Sequence, residues 1–461
     1  MVPANGSRFK LVYSHWLPGE ETFPIANGLM PTAVSRLKSI TYNNYAGRHL
    51  RIPELDDQFQ SPGSDIVFRH SNFVWHFIKQ FSTEDIIREE QVLNDDYTYI
   101  YPIEIEKSGF QILLHGKTAG DKPVNKYDLK SALTPNMLSM LRSGKVKLLF
   151  VNIVDPTHDV AGLQQLEVLL NKMGISGKNV IIAQGNSPSE INSEMSFVSG
   201  SLSLYQAAES MSKYPYTAWQ LGYVNDNVKE QDLDISTVRG KKFLSFNRTL
   251  FREHRVALCY LALKFNLLKD GTFSFLVNPP EDVVESLKKF FPSEPDLEQY
   301  AKQISALLPY EIDTQCLATR EEKESFQTVG TNNKDFYASS YLHLTTETSF
   351  SKNETPFFSE KTWRPIMNLQ PFIYIGNPTG LSLIKELGFK TFHPYINEEY
   401  DSIYNPVARM EAISLEIRKF ADRSINEIHD WYYSITDILL HNQKHLSTFL
   451  DHKPYGNIFK L

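Results

Sequence analysis

A cluster of arginines marks the start of a predicted helix in the second half of the chain. The strand-like run FLSFN, which ends at Asn247, is followed by Arg248, Arg252 and Arg255 and then by an apolar helical pattern. Arg252 and Arg255 are three residues apart, so they share one face of that helix. Guanidinium groups bind phosphate oxygens in a bidentate manner, and fixed cations stabilise the negative charge that develops on a leaving phosphate. We therefore predict an anion site at this junction between strand and helix.

A second helix start lies at Ser359, Glu360 and Lys361, after the strand-like run YLHLTTETS. Ser359 is a candidate N-cap because its hydroxyl can accept a hydrogen bond from a free backbone N–H group. A lysine in the first turn opposes the helix dipole, so Lys361 needs another partner, and a bound phosphate would supply one. The apolar run FIYIG after Pro371 predicts a buried parallel strand that follows this helix.

The order of these segments resembles the donor-binding region of family-ten α-1,3/4-fucosyltransferases. Glu347-x-Ser349 matches the family's Phe-Glu-Asn-Ser, and Ser-Glu-Lys-x-Trp-Arg from Ser359 matches its Tyr-x-Thr-Glu-Lys-x-Trp. Pro-Phe-Ile-x-x-Gly then stands where the family has Val-Pro-Val-x-x-Gly. The chain departs from the family at Thr346 and Thr348, where the family has Phe and Asn, and by the extra segment SKNETP.

The resemblance implies a role for each matched residue. It places Lys361 on the phosphates of a nucleotide sugar, Glu360 on the ribose hydroxyls or the sugar, and Glu347 near the positive charge that builds on the sugar ring. The implied donor is GDP-fucose, bound without a metal ion or another cofactor. The spacing does not decide which arginine of the junction is equivalent to the family's arginine. The remaining expected donor-binding residues are Asn247, Arg248, Arg252, Arg255, Ser349 and Ser359.

Inverting sugar transfer also needs a base that takes the proton from the acceptor hydroxyl. Asp155 follows the predicted buried strand VKLLFVNIV and is our first candidate, although a polar residue there is also a normal helix cap. The rival candidates are His158, Asp159, Glu104, Glu106 and His15.

Composition and motifs argue against several other classes of protein. The net charge of -7 argues against broad nucleic-acid binding. GxGxxG, Walker, HExxH and paired CxxC motifs are absent from the sequence, and Asp232-Leu-Asp234 lies in a polar stretch where we interpret it as chance. The two cysteines, Cys259 and Cys316, cannot form a disulfide framework. Because no apolar stretch of about 18 residues occurs, we expect a cytoplasmic protein without a transmembrane segment.

A chain of 461 residues is too long for one ordinary core, which favours two domains. Val146–Val154, Ala161–Met173 and Asn179–Gln184 predict a βαβ unit with parallel strands and a right-handed crossover. Other predicted elements include helices at Leu29–Ile40 and Asn72–Phe81.

We predict an α/β fold of GT-B type, with two facing Rossmann-like domains and a helical C-terminal tail. Residues 1–235 would form the acceptor domain and residues 236–461 the donor domain. The expected function is an inverting, metal-independent glycosyltransferase whose partners are a nucleotide sugar and a glycan or glycoconjugate acceptor. The alternatives are the same fold with another nucleotide sugar, or an inactive carbohydrate-binding or structural protein.

Overall fold

The structure is a computed structural model, and it describes most of the chain's predicted donor half. The described residues are 8–13, 86–93, 97–104, 133–152, 160–184, 193–199, 204, 207–208, 211, 227–250, 252–277, 282–310, 334–352 and 356–449. The predicted helices at Leu29–Ile40 and Asn72–Phe81 lie outside these residues, as do Asp155 and four of its rivals as catalytic base, His158, Asp159, Glu106 and His15.

The chain divides into two compact units, which are Met1–Leu202 with Lys453–Leu461, and Ser203–His452. Among the described residues, each unit has one parallel sheet, so the predicted α/β class is confirmed. The division falls earlier in the chain than residue 235, where the sequence places the domain boundary. The assignment of acceptor and donor roles to the two parts stays a prediction.

The sheet of the first unit has the strand order β2-β1-β3-β4-β5-β6 among the described residues, and every pairing is parallel. Its strands are β1 (Arg8–Tyr13), β2 (Ile86–Arg88), β3 (Tyr97–Glu104), β4 (Val146–Asn152), β5 (Val180–Gln184) and β6 (Ser196–Ser199). Its described helices are α1 (Pro135–Ser143) and α2 (Val160–Lys172). Because α2 connects the parallel neighbours β4 and β5, the predicted βαβ unit is confirmed.

Helix α1 shows how local sequence sets the boundaries of an element in this unit. Thr134 is its N-cap and accepts a hydrogen bond from the backbone N–H of Met137, and proline occupies the first helical position. Gly144 ends the helix with a φ of 75°, a left-handed conformation that favours glycine. Met137 and Leu141 on the inner face are fully buried in the core of the sheet.

The sheet of the second unit has the strand order β10-β9-β7-β8, again with parallel pairings. Its strands are β7 (Lys241–Thr249), β8 (Gly271–Val277), β9 (Ser340–Thr346) and β10 (Phe372–Ile375). Its described helices up to β10 are α3 (Glu253–Lys264), α4 (Leu267–Asp270), α5 (Val283–Lys288), α6 (Leu297–Leu307), α7 (Lys334–Ala338) and α8 (Glu360–Met367). Every residue of β9 and β10 is buried, which confirms the predicted buried strand after Pro371.

Four further helices are described after β10 in the second unit. They are α9 (Gly380–Glu386), α10 (Pro406–Asp422), α11 (Ile425–Ser434) and α12 (Thr436–Thr448). Asn405 caps α10, and Ser424 forms a capping box with Glu427 at the start of α11. The predicted helical C-terminal tail is therefore confirmed. Among the described residues, no helix combines the length and the apolar character needed to cross a bilayer.

Two residues near the predicted anion site belong to the core. Trp363 of α8 is fully buried against Phe358 and Phe389, so it packs the helix onto the unit. Cys259 of α3 is also fully buried, and burial raises the pKa of its thiol to about 12. Its thiol is therefore a packing group that stays protonated.

Candidate active site

The order of the second sheet identifies one edge as the expected ligand site. The chain passes from β7 to its neighbour β8 and then returns to the other side of β7 to form β9. The carboxyl ends of β7 and β9 therefore meet at a topological switch point, where open α/β sheets bind ligands. Helix α3 begins just after β7, and α8 is the first described helix after β9, so both anion-site segments predicted from sequence belong to this edge.

Asn247 joins the two strands at this switch point. Its side-chain oxygen accepts a hydrogen bond from the Thr346 hydroxyl, and its Nδ2 donates to Ser245 Oγ at 3.0 Å. Ser245 Oγ donates in turn to the carbonyl of Leu344 at 2.7 Å. Because Asn247 is fully buried, its side chain links the two strands within the sheet. Its predicted contact with the donor stays a prediction.

The start of α3 carries the basic junction. Arg252 occupies the N-cap position, and its guanidinium donates to the carbonyl of Thr348 in the loop after β9. Arg255 is 5% exposed, and burial together with the charge of Arg252 lowers its pKa to about 10. That value keeps Arg255 cationic at neutral pH. Arg248 belongs to β7, and its side chain lies outside the described residues.

Ser359 is the N-cap of α8, as predicted, and Lys361 has an ion-pair partner within the protein, Glu360. Ser359 Oγ accepts a hydrogen bond from the Lys361 backbone N–H at 3.3 Å. Lys361 Nζ lies 2.7 Å from Glu360 Oε1 and 3.2 Å from Ser359 Oγ. The Lys361 and Glu360 side chains are 22% and 21% exposed, so they lie at the surface of this edge. Lys361 is thus ion-paired, and a phosphate would be a second partner.

The protonation state of Glu360 follows from these neighbours. Burial by itself raises the pKa of this carboxyl, but the positive charges of Lys361 and Arg364 outweigh burial and bring it to about 2. Glu360 is consequently a carboxylate across the physiological range, and it can accept hydrogen bonds from ribose or sugar hydroxyls.

His254 connects the start of α3 to the end of β9. Burial is the main cause that lowers its pKa to about 3, and the charges of Arg255, Arg252 and Lys361 add to this effect. The imidazole is therefore neutral, and its Nε2–H donates to the carbonyl of Glu347 at 2.8 Å. His254 was not among the residues we predicted for the donor site, although it lies within the basic junction.

Glu347 lies at the end of β9 with its carboxylate turned inward. The side chain is 1% exposed, and Ser359 Oγ donates to its Oε2 at 2.7 Å. The Ser359 backbone N–H and the Thr362 hydroxyl donate to the same carboxylate. Ser349 follows in the loop and is half-buried. The predicted contact of Glu347 with the sugar stays a prediction, and the structure shows a carboxylate that protein donors already surround.

The loop from Glu347 to Ser351 is held at its far end by side chains from α10 and from the turn after β10. Arg409 of α10 is fully buried, donates to the carbonyl of Ser351 at 3.1 Å and lies 4.2 Å from the centre of the Phe350 ring. Asn377, in the turn after β10, accepts from the Ser351 backbone N–H at 2.7 Å. These contacts fix the loop before any ligand binds.

Carboxylates of the Asp232-Leu-Asp234 segment serve local structure. Asp232 pairs with Lys334 at 2.9 Å, and Asp234 accepts hydrogen bonds from Ser236 and Thr237. Within the described ranges, no three His, Cys, Asp or Glu side chains form a group that could hold a metal ion. A surface groove lined by α5, α6 and the turn between them contains none of the candidate site residues.

Comparisons with known proteins give a weak structural similarity. No protein-family model matches the sequence, and no curated protein matches it. The chain is similar to alpha,alpha-trehalose 6-phosphate synthase from Burkholderia multivorans, with 10% identity, coverage of 98% of this chain and 99% of that chain, and a TM-score of 0.34. A similarity of this size carries no argument about the function of this chain.

Proposed function

We propose that this chain is an inverting glycosyltransferase of GT-B type that takes its sugar from a nucleoside-diphosphate donor. The observation that supports the proposal best is that the start of α3 and the start of α8 both bind the Glu347–Thr348 segment at the switch point of the second sheet. This places Arg252, Arg255 and Lys361 at one edge of that sheet. Two helix N-termini and three cations suit a diphosphate, which carries several negative charges. The same groups would stabilise the charge that grows on the diphosphate as the bond to the sugar breaks.

GDP-fucose is the donor that we propose first, because the segment from Tyr341 to Gly376 resembles the donor region of family-ten fucosyltransferases. Glu360 would contact ribose or sugar hydroxyls, and Lys361 would contact the phosphates. The acceptor would be a glycan or glycoconjugate hydroxyl in the cytoplasm, with Asp155 of the first unit as the proposed base. No cofactor is needed for this chemistry, because the leaving group is stabilised by side chains.

A thermal shift experiment with GDP, UDP and CMP tests the nucleotide preference. We expect GDP to raise the unfolding temperature, because a ligand that binds only the folded state stabilises it by mass action. A response to UDP or CMP in place of GDP would support a glycosyltransferase with another donor. If none of the three nucleotides shifts the transition, the account of a nucleotide site is wrong and an inactive binding or structural protein takes its place.

We also expect transfer activity to survive EDTA. In this proposal Arg252, Arg255 and Lys361 supply the positive charge that a divalent cation supplies in metal-dependent transferases. The measurement is GDP release from GDP-fucose with a glycan mixture as acceptor, before and after exhaustive treatment with EDTA. Loss of turnover that Mn²⁺ or Mg²⁺ restores would contradict metal independence, and loss that neither ion restores would point to damage by the treatment.

A further inference from the structure

We propose that Glu347 is a positioning residue, which builds the anion site by fixing the start of α8 to the end of β9. This role differs from the direct contact with the sugar that the sequence resemblance implies. The inference rests on the proposed function, because it concerns how the diphosphate site of that function is held in shape.

The Glu347 carboxylate already accepts hydrogen bonds from several donors of the protein. Ser359 donates to it from both its backbone N–H, at 3.1 Å, and its hydroxyl, at 2.7 Å. The Thr362 hydroxyl and the Thr348 backbone N–H, the latter at 3.1 Å, complete the set. A carboxylate has about four lone-pair sites, and these donors use them. Since the side chain is 1% exposed, contact with a sugar would require several of these bonds to break.

The Glu347 carboxylate also orients the hydroxyl of Ser359. The Ser359 hydroxyl donates its single hydrogen to Glu347 Oε2, so its lone pairs face the other way. Those lone pairs accept from the backbone N–H of Lys361 at 3.3 Å and from Lys361 Nζ at 3.2 Å. The Glu347 carboxylate therefore orients the hydroxyl that accepts hydrogen bonds from Lys361, the lysine that we assign to the phosphates.

The backbone at Glu347 and Thr348 also binds the start of α3. The carbonyl of Glu347 accepts from His254 Nε2, and the next carbonyl, of Thr348, accepts from Arg252. His254 and Arg252 belong to the start of α3, whereas Ser359 and Thr362 belong to the start of α8. Glu347 thus holds the two helix starts relative to each other, and a site that is fixed in advance loses less free energy on binding.

The test compares Glu347→Gln with Thr362→Val and with the double variant, using GDP alone as the probe in calorimetric titrations. Thr362 is fully buried and its hydroxyl contacts the carboxylate, so its side chain is not placed to contact GDP. We expect Glu347→Gln to weaken GDP binding roughly 10-fold and Thr362→Val to weaken it by about 3-fold, because each change loosens a site that is otherwise fixed before GDP binds. Because both changes act on one carboxylate, the double variant should lose less than the product of the two factors.

Glu398→Gln is the matched control. Glu398 is also a buried carboxylate, and it accepts from a threonine hydroxyl and from two backbone N–H groups, those of Phe392 and His393. Phe392 packs on Phe372, the first residue of β10, so Glu398 is associated with the opposite edge of the sheet. We expect Glu398→Gln to leave GDP affinity unchanged.

Hydrogen exchange of the free protein separates this inference from the proposed function. We expect Glu347→Gln to speed exchange in the peptide that covers Ser359, whose N–H is bound to the carboxylate, and Thr362→Val to do the same if Glu347→Gln does not fold. Unchanged exchange and unchanged GDP affinity, with a fall in kcat alone, would overturn the positioning role in favour of sugar contact. If the wild-type protein binds neither GDP nor inorganic pyrophosphate, the proposed function and the anion-site part of this inference fail together. Hydrogen exchange still shows in that case whether the Glu347 carboxylate holds the start of α8.

Discussion

Lys361→Ala is expected to weaken GDP binding roughly 10- to 150-fold, which is the equilibrium effect of losing a charged hydrogen bond of about 1.5–3 kcal/mol. Two causes act in the same direction. The ammonium group is lost, and the Glu360 carboxylate loses the ion-pair partner that it has at 2.7 Å. Calorimetric titration with GDP measures the change.

The folded state should tolerate Lys361→Ala, because a partly exposed ion pair contributes about 0–1 kcal/mol to stability. Lys390→Ala serves as the control, since Lys390 is an exposed lysine of the same unit away from the switch point. GDP affinity equal to that of Lys390→Ala, in a variant with an unchanged unfolding temperature, would remove Lys361 from the site.

Asp155→Asn should reduce turnover by roughly 10²–10⁴-fold while GDP binds normally, because the amide cannot take the proton of the acceptor hydroxyl. Asp155 follows β4, which ends at Asn152, and its own position lies outside the described residues. The measurement is GDP release from GDP-fucose with a glycan mixture, together with a GDP titration.

Near-normal turnover in Asp155→Asn would move the search for the base to the other candidates. Glu104 would come first, because it is the last residue of β3. In the first sheet the chain goes from β1 to β2 and then returns to the other side of β1 to form β3, so β1 and β3 flank the switch point of that sheet.

The elements that carry the site were predictable because their signals are local. Apolar runs predicted β9 and β10. The start of α8 was predicted from the hydroxyl of Ser359 and the helical pattern that follows it. Helical spacing likewise placed Arg252 and Arg255 together at the start of α3. In each of these cases, residues that are near in sequence are also near in space.

The connections between those elements were not predictable, because they join residues that are far apart in the chain. Arg409 contacts Ser351 across 58 positions, and Asn247 contacts Thr346 across 99. The spacing of residues in the sequence does not show that α10, a helix of the C-terminal tail, supports the loop after β9. The resemblance to a known motif identified Glu347 as important, but only the contacts with Ser359 and Thr362 show a buried carboxylate that holds a helix.

We propose that a nucleoside diphosphate binds between the ends of β7 and β9. Hydrogen exchange of the full chain with and without saturating GDP tests it most directly. The proposed site predicts slower exchange in peptides that cover the starts of α3 and α8 and the loop after β9, with Arg252, Glu347 and Lys361 at their centres. Protection confined to peptides from Met1–Leu202, with none at these three segments, would contradict it.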